Sequence, residues 1–199
     1  MFFCFFCLAT FASAQYQIWT TSSLEKVLLD QGLPAKSSQS QLSLQAAGNE
    51  AESGQIIIRA NDKDLLGVML AVSDLVGEKE IFSARNIKIY KQHYVEITKS
   101  TNKVFPLGWY PDALPPHKTP VNIQAGKNQG FWLTIKVPKG QKPGVYKGNV
   151  TILSQGHKLQ DVPLTLEVWD FDLADEMHTK MSFAIWGDQI AKAHGVTIN

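Results

Sequence analysis

Apolar and polar residues alternate through much of the chain with a period of two. Phe131, Leu133, Ile135 and Val137 fall on one side of Trp132, Thr134 and Lys136, the pattern of a strand with one buried face. Pro138 ends that run, and Pro143-Gly144 forms a turn that sends residues 145–153 back as a second strand. Val162, Leu164, Leu166 and Val168 repeat the alternation, as do Leu42, Leu44 and Ala46. The β-branched triplet Ile56-Ile57-Ile58 marks a strand over 55–60, and two further strands are expected over 65–75 and 87–97. In the last of these, Ile87, Ile89, Val95 and Ile97 share one parity. Residues 16–20 and 24–29 are short apolar segments, and 36–41 is a polar loop. About eight strands, with turn residues between them and no helical period, predict an all-β fold: an immunoglobulin-like antiparallel β-sandwich over residues 15–171.

The two ends read differently. Phe2, Phe3, Phe5, Phe6, Leu8 and Phe11 make a short uncharged run that finishes Ala12-Ser13-Ala14. Small residues at positions 12 and 14 suit signal-peptide cleavage, so residues 1–14 are expected to be a leader, with the mature chain starting at Gln15. The alternative is a buried strand. The missing Lys or Arg at its start points to an incomplete N-terminus or a misplaced start codon. The run is too short to span a bilayer, so the expected location is outside the cytoplasm: periplasmic, cell-surface or secreted. Both cysteines, Cys4 and Cys7, lie inside this leader, and a Cys-x-x-Cys with no second ligand pair is a poor metal site. At the other end, residues 172–180 read as a polar linker. Residues 181–186 form a compact apolar strand, followed by a helix with Asp188 as its N-cap and Gly195 as its stop. Residues 181–199 therefore look like the first β/α unit of a truncated (β/α)8 barrel, which needs roughly 250 residues.

Composition narrows the partners. With 44% hydrophobic and 19% charged residues and a net charge of +1, the chain carries no electrostatic footprint for nucleic acid. A neutral glycan fits better. His93, His117, His157, His178 and His194 lack metal-ligand spacing, and no nucleophile elbow or phosphate loop is present, so no metal, cofactor or catalytic residue is expected in this chain. Asp62-x-Asp64 and Asp170-x-Asp172 read as loop-capping acids, and Asp175-Glu176 as a solvated linker pair. Trp109 and Tyr110, in a loop stiffened by Pro111, Pro115 and Pro116, are the best candidates for stacking on a sugar. The competing and favoured reading buries them at a domain interface. Trp186 is a third ligand-binding candidate, with a core role equally open. Trp132 and Trp169 are taken as sheet residues, and Tyr146 as a corner tyrosine whose hydroxyl reaches nearby backbone.

Several landmarks occur in a telling order: Asn49-Glu50, Tyr110-Pro111-Asp112, Asn128-Gln129 with Trp132, Pro143-Gly144 with Tyr146 and Gly148, and Val168-Trp169-Asp170-Phe171. This order resembles the N-terminal sandwich that precedes the catalytic barrel in glycoside hydrolase family 123 and in the related domain-of-unknown-function family 4091, over roughly residues 17–186. The resemblance implies an accessory domain of an exported glycoside hydrolase, meeting its glycan substrate through the following barrel. Such enzymes remove terminal N-acetylhexosamine by a substrate-assisted retaining mechanism that uses an adjacent Asp-Glu pair deep in the barrel. Asp175-Glu176 precedes the first candidate barrel strand and does not match that pair, which places the catalytic residues beyond Asn199. The alternative is a stand-alone carbohydrate-binding or adhesive sandwich without catalysis.

Overall fold

The computed structural model describes residues 15–33, 39–99, 106–176, 179–180, 182 and 184–197. The expected leader, with Cys4 and Cys7, lies outside the described residues. Thirteen strands follow one another: β1 (Tyr16–Ser22), β2 (Leu42–Gly48), β3 (Ala51–Ala60), β4 (Leu65–Val72), β5 (Leu75–Val76), β6 (Ile81–Phe82), β7 (Ile87–Lys91), β8 (Tyr94–Ile97), β9 (Gly108–Pro111), β10 (Val121–Ile123), β11 (Asn128–Lys136), β12 (Gly144–Ser154) and β13 (His157–Asp172). Among the described residues a 3-10 turn covers Ala84–Asn86, and one α-helix, α1 (Gly187–His194), lies near the end. Sheet one has the order β1-β3-β11-β7, and sheet two the order β10-β4-β12-β13-β2 with β5 attached to β12 and β6 to β5. β8 and β9 form a separate hairpin.

The period-two pattern does the folding. Phe131, Leu133 and Ile135 of β11 and Ile56 and Ile58 of β3 face inward and are fully buried against Val150, Ile152, Leu164 and Leu166 of sheet two. Burying such side chains contributes about 1.5–3 kcal/mol each. The Pro143-Gly144 turn behaves as read: Gly144, at φ 142°, opens β12, and the buried Tyr146 donates its hydroxyl to the Lys142 carbonyl at 2.7 Å.

Four expectations change. The strand over 87–97 is two strands, because at Gln92 and His93 the backbone exchanges partners. Gln92 N–H still bonds Gly130 in β11, whereas His93 N–H bonds Ala113 and Asp112 N–H bonds His93, turning the chain out into the hairpin. The strand over 65–75 likewise divides into β4 and β5. The sandwich is not wholly antiparallel: β2 runs parallel to β13, pairing Leu42 with Leu164 and Gln45 with Glu167. At the C-terminal end, Ser182 and residues 184–186 carry no strand, while Met181 and Phe183 lie outside the described residues. Trp186, not Asp188, occupies the N-cap of α1. Asp188 sits in the first turn, where a carboxylate favours the positive end of the helix dipole, and Gly195 stops the helix at φ 64° as expected. The (β/α)8 barrel is therefore not part of what the structure describes.

The apolar segment 24–29 is not a strand but a cover. Val27 packs with Trp19 and Ile57 on the outer face of sheet one. Buried amides hold the cover in place. Gln55 donates to the carbonyls of Ser22 (2.6 Å) and Glu25 (2.8 Å). Asn128 donates to those of Leu28 (2.8 Å) and Gln31 (2.7 Å), and its own N–H bonds the Leu29 carbonyl at 2.8 Å. Gln92 in turn donates to Gln55 Oε1. With Gln55, Gln92 and Asn128 all 3% exposed or less, these bonds replace water that is no longer present. Gly130 belongs to the same device, because a Cβ there would lie 1.9 Å from Gln92 Oε1. Asn128→Ala removes both donors and is expected to cost on the order of 3 kcal/mol and to speed amide exchange at Leu29. Chemical denaturation with residue-resolved hydrogen exchange checks both, and an unchanged midpoint would contradict the assignment.

His117 sits at the open end of the core, its ring edge-on to Phe131 at 4.8 Å and its Nε2 accepting from Leu70 N–H at 3.4 Å. Burial, and secondarily the charge of Lys91, hold its pKa below the ordinary 6.5. The folded state therefore resists a proton that the unfolded chain accepts. Stability from this group is complete above about pH 6.5 and is lost as pH falls below that value. Unfolding free energy should drop between pH 7.5 and 5.5, and His117→Gln should flatten the slope; equal slopes in the two proteins would refute this.

Candidate functional site

The three aromatic residues singled out as ligand contacts do not form one site. Trp109 and Tyr110 lie on strand β9, not in a loop, with Trp109 opposite Glu96 and Tyr110 opposite Val95. Neighbours on a strand point to opposite faces, so the two rings cannot line one pocket. Tyr110 shares its face with Val95 and Ile97, and its hydroxyl is tied to the Pro106 carbonyl at 2.7 Å. Trp109 is 39% exposed, and its carbonyl accepts from Leu29 N–H at 3.1 Å, which leans the hairpin on the cover segment. Val95, Ile97, Leu107 and Leu114 are also exposed, giving this corner an uncovered apolar character. Trp186 is 61% exposed at the start of α1, where Ile185 and Ile190 are uncovered too.

A second aromatic surface was not expected. Trp169 and Phe171 stack with ring centroids 5.9 Å apart and planes 20° apart, and both are exposed. They share the outer face of β13 with Thr165 and Glu167, while Leu164, Leu166 and Val168 fill the core. The signal was present in Val168-Trp169-Asp170-Phe171, because a buried Val168 forces both rings outward on a period of two. Trp169 forms one wall of an open groove of about 630 Å³ that wraps the free edge of β2 and is lined on its other sides by Ser22, Ser43, Gln45, Glu52 and Glu167 among others. Gln45 Nε2 donates to Glu167 Oε2 at 2.6 Å across the parallel pair. On the other side of the rings, a smaller cleft of about 230 Å³ separates them from the turn at 140–143.

The carboxylates act locally. Asp64 accepts from Ala125 N–H at 2.8 Å and Asp172 from Gly140 N–H at 3.1 Å, so each ties a loop distant in sequence instead of capping its own. Asp175 is not merely solvated: it pairs with Lys139 and accepts from Asn49 Nδ2 at 3.0 Å. The hydrogen bond and charge of Lys139 hold its carboxyl below the usual range. With Leu173 N–H bonded to the Gly48 carbonyl at 2.8 Å, these contacts fasten the start of the connector to the β2–β3 turn. Among the described residues no three His, Cys, Asp or Glu side chains could hold a metal together, and no helix is long and apolar enough to cross a membrane.

Residues 29–154 match the glycoside hydrolase 123 N-terminal domain. No curated protein matches by sequence. Among solved structures, a family 123 glycoside hydrolase from Clostridium perfringens, studied for glycolipid glycan hydrolysis, superposes with a TM-score of 0.66 at 21% identity. The match takes in 82% of this chain and 28% of that one, so this chain spans under a third of that enzyme's length. Two fainter likenesses are AvmM, which catalyses macrocyclisation in alchivemycin A biosynthesis (TM-score 0.39, 6% identity, 84% of this chain and 94% of that), and an ASH/PapD-like domain of human CEP192 (0.34, 10%, 71% and 96%). Both lie too far away to speak for function. The family match spans more than half of the sequence, and the chain belongs to the glycoside hydrolase 123 N-terminal domain family.

Proposed function

We propose that this sandwich is the accessory domain of a longer, exported glycoside hydrolase whose catalytic domain begins near residue 181. Its reaction is the release of terminal N-acetylhexosamine with retention of configuration, assisted by the substrate's acetamido group, with the reacting carboxylates beyond Asn199. The observation that carries this reading is the alignment of 82% of the chain with only 28% of a family 123 hydrolase. The sandwich then acts as a platform: it folds around its own core and presents the β8–β9 corner to the catalytic domain. Exposed apolar side chains on both faces of the hairpin, Val95 and Ile97 on one and Trp109 on the other, support that role, since uncovered apolar surface of this kind marks interfaces between domains. The connector that leaves β13, fastened through Asp175 to Lys139 and Asn49, restricts where the next domain can swing. Signal-directed export through residues 1–14 completes the reading.

The test uses the longer reading frame beside the 199-residue chain, with an aryl N-acetylhexosaminide as substrate. The longer protein should turn it over with retention, and the short chain should not. Trp109→Ala in the longer protein should lower the unfolding temperature while leaving KM nearly unchanged. A truncated aromatic at a buried contact costs on the order of 3–5 kcal/mol. Turnover by the short chain, or a selective rise in KM with no loss of stability, would overturn the assignment.

A further inference from the structure

Beyond that platform role, the outer face of sheet two has the features of a contact site for glycans. The outer faces of β2 and β13 run parallel and in register, so Ser43 stands beside Thr165 and Gln45 beside Glu167. Adjacent strands are about 4.8 Å apart and alternate residues about 6.6 Å apart, which makes these four polar side chains a compact rectangle. Two residues further along β13 comes Trp169, and after it Phe171.

We propose that this strip is a binding site for a neutral oligosaccharide, with the Trp169 ring as the stacking surface and Glu167, Gln45, Ser43 and Thr165 as partners for the hydroxyls of the neighbouring sugar. Three observations select the ligand. First, the groove beside Trp169 is lined by seven Ser and Thr residues, two carboxylates and no Lys or Arg. A nucleic acid or another polyanion would meet Glu52 and Glu167 with no compensating cation, whereas sugar hydroxyls donate well to a carboxylate. Second, the polar groups are unspent. The hydroxyls of Ser43 and Thr165, the Glu52 carboxylate and the Trp169 indole N–H have no hydrogen bond among the described residues, and Glu167 has only Gln45 as a side-chain partner. Third, the platform is already ordered. Phe171 stacks against Trp169 at an angle of 20°, so little freedom is lost when a pyranose face settles on the exposed ring. A groove of about 630 Å³ has room for more than one sugar, which suits a chain rather than a single residue.

The experiment is a calorimetric titration of the 199-residue chain with N-acetylchitotriose and with cellotriose, with thermal unfolding recorded for each protein. At least one trisaccharide should bind with a millimolar or tighter Kd. Trp169→Ala should weaken that binding by about tenfold or more, and Glu167→Gln and Gln45→Ala by several-fold, with the unfolding midpoints of the two polar variants unchanged. If Trp169→Ala unfolds, the polar variants decide the matter alone. Absence of binding to both sugars up to about 10 mM, or binding that survives Glu167→Gln and Gln45→Ala at full strength, would overturn the proposal. Because the titration needs no catalytic domain, its failure leaves the platform reading standing, and failure of the longer protein to turn over substrate leaves this site untouched.

Discussion

Everything on the outer face of sheet one depends on two buried side-chain amides. Gln55 and Asn128 lie on neighbouring strands and donate to the carbonyl of Ser22 at the end of β1 and to three carbonyls of residues 23–31, a segment that belongs to no strand. Without those carbonyls the two side-chain amides, each 1% exposed, would be buried with unpaired donors, at roughly 1–3 kcal/mol for each group. With them, Val27 can close over Trp19 and Ile57, and Leu29 can reach the carbonyl of Trp109 and orient the hairpin. The arrangement has a cost: Trp19 Nε1, Gln92 Oε1 and the Tyr94 hydroxyl are buried without partners among the described residues, and burial pushes the Tyr94 phenol well above its usual pKa. Gly130 is glycine because Gln92 must pass close to it to reach Gln55.

That constraint gives the sandwich two unlike outer faces. Sheet one is covered by its own chain, whereas sheet two leaves Trp169, Phe171 and Val145 exposed beside a polar groove. A hydrophobic core alone would not produce this asymmetry, since the inner faces of the two sheets are equally apolar. It comes from where the amides are placed. The functional proposals follow the same division, with docking assigned to the hairpin carried by the covered side and glycan contact to the open side.

Much of this was legible in the sequence, and the residues that were not share a cause. Strands such as β11 and β12 declare themselves because one face meets a core and the other does not, so a period of two survives in the side chains. The corner at Tyr146 is equally local, spanning four residues. The division of 87–97 was hidden because Ile87, Ile89, Val95 and Ile97 keep their parity across it, while the exchange of partners at Gln92 depends on Gly130 and Ala113, both distant in sequence. Trp109 and Tyr110 make one site only in a loop; on a strand, adjacency separates them. The exposure of Trp169 follows from the alternation through Val168, but its residue type hides it, because aromatic residues in sheets are so often buried. The parallel course of β2 beside β13, which builds the groove, has no local signature at all.

The asymmetry of the two faces is tested most directly by hydroxyl-radical footprinting of the folded chain, with oxidation of each aromatic residue read by mass spectrometry. Trp169 and Phe171 should be oxidised rapidly, and Trp19, at 1% exposure beneath Val27, should be protected nearly as well as the core residue Phe131. Oxidation of Trp19 at a rate matching Trp169 would mean that residues 22–31 do not close over sheet one, and the account of how the amides organise this domain would fail.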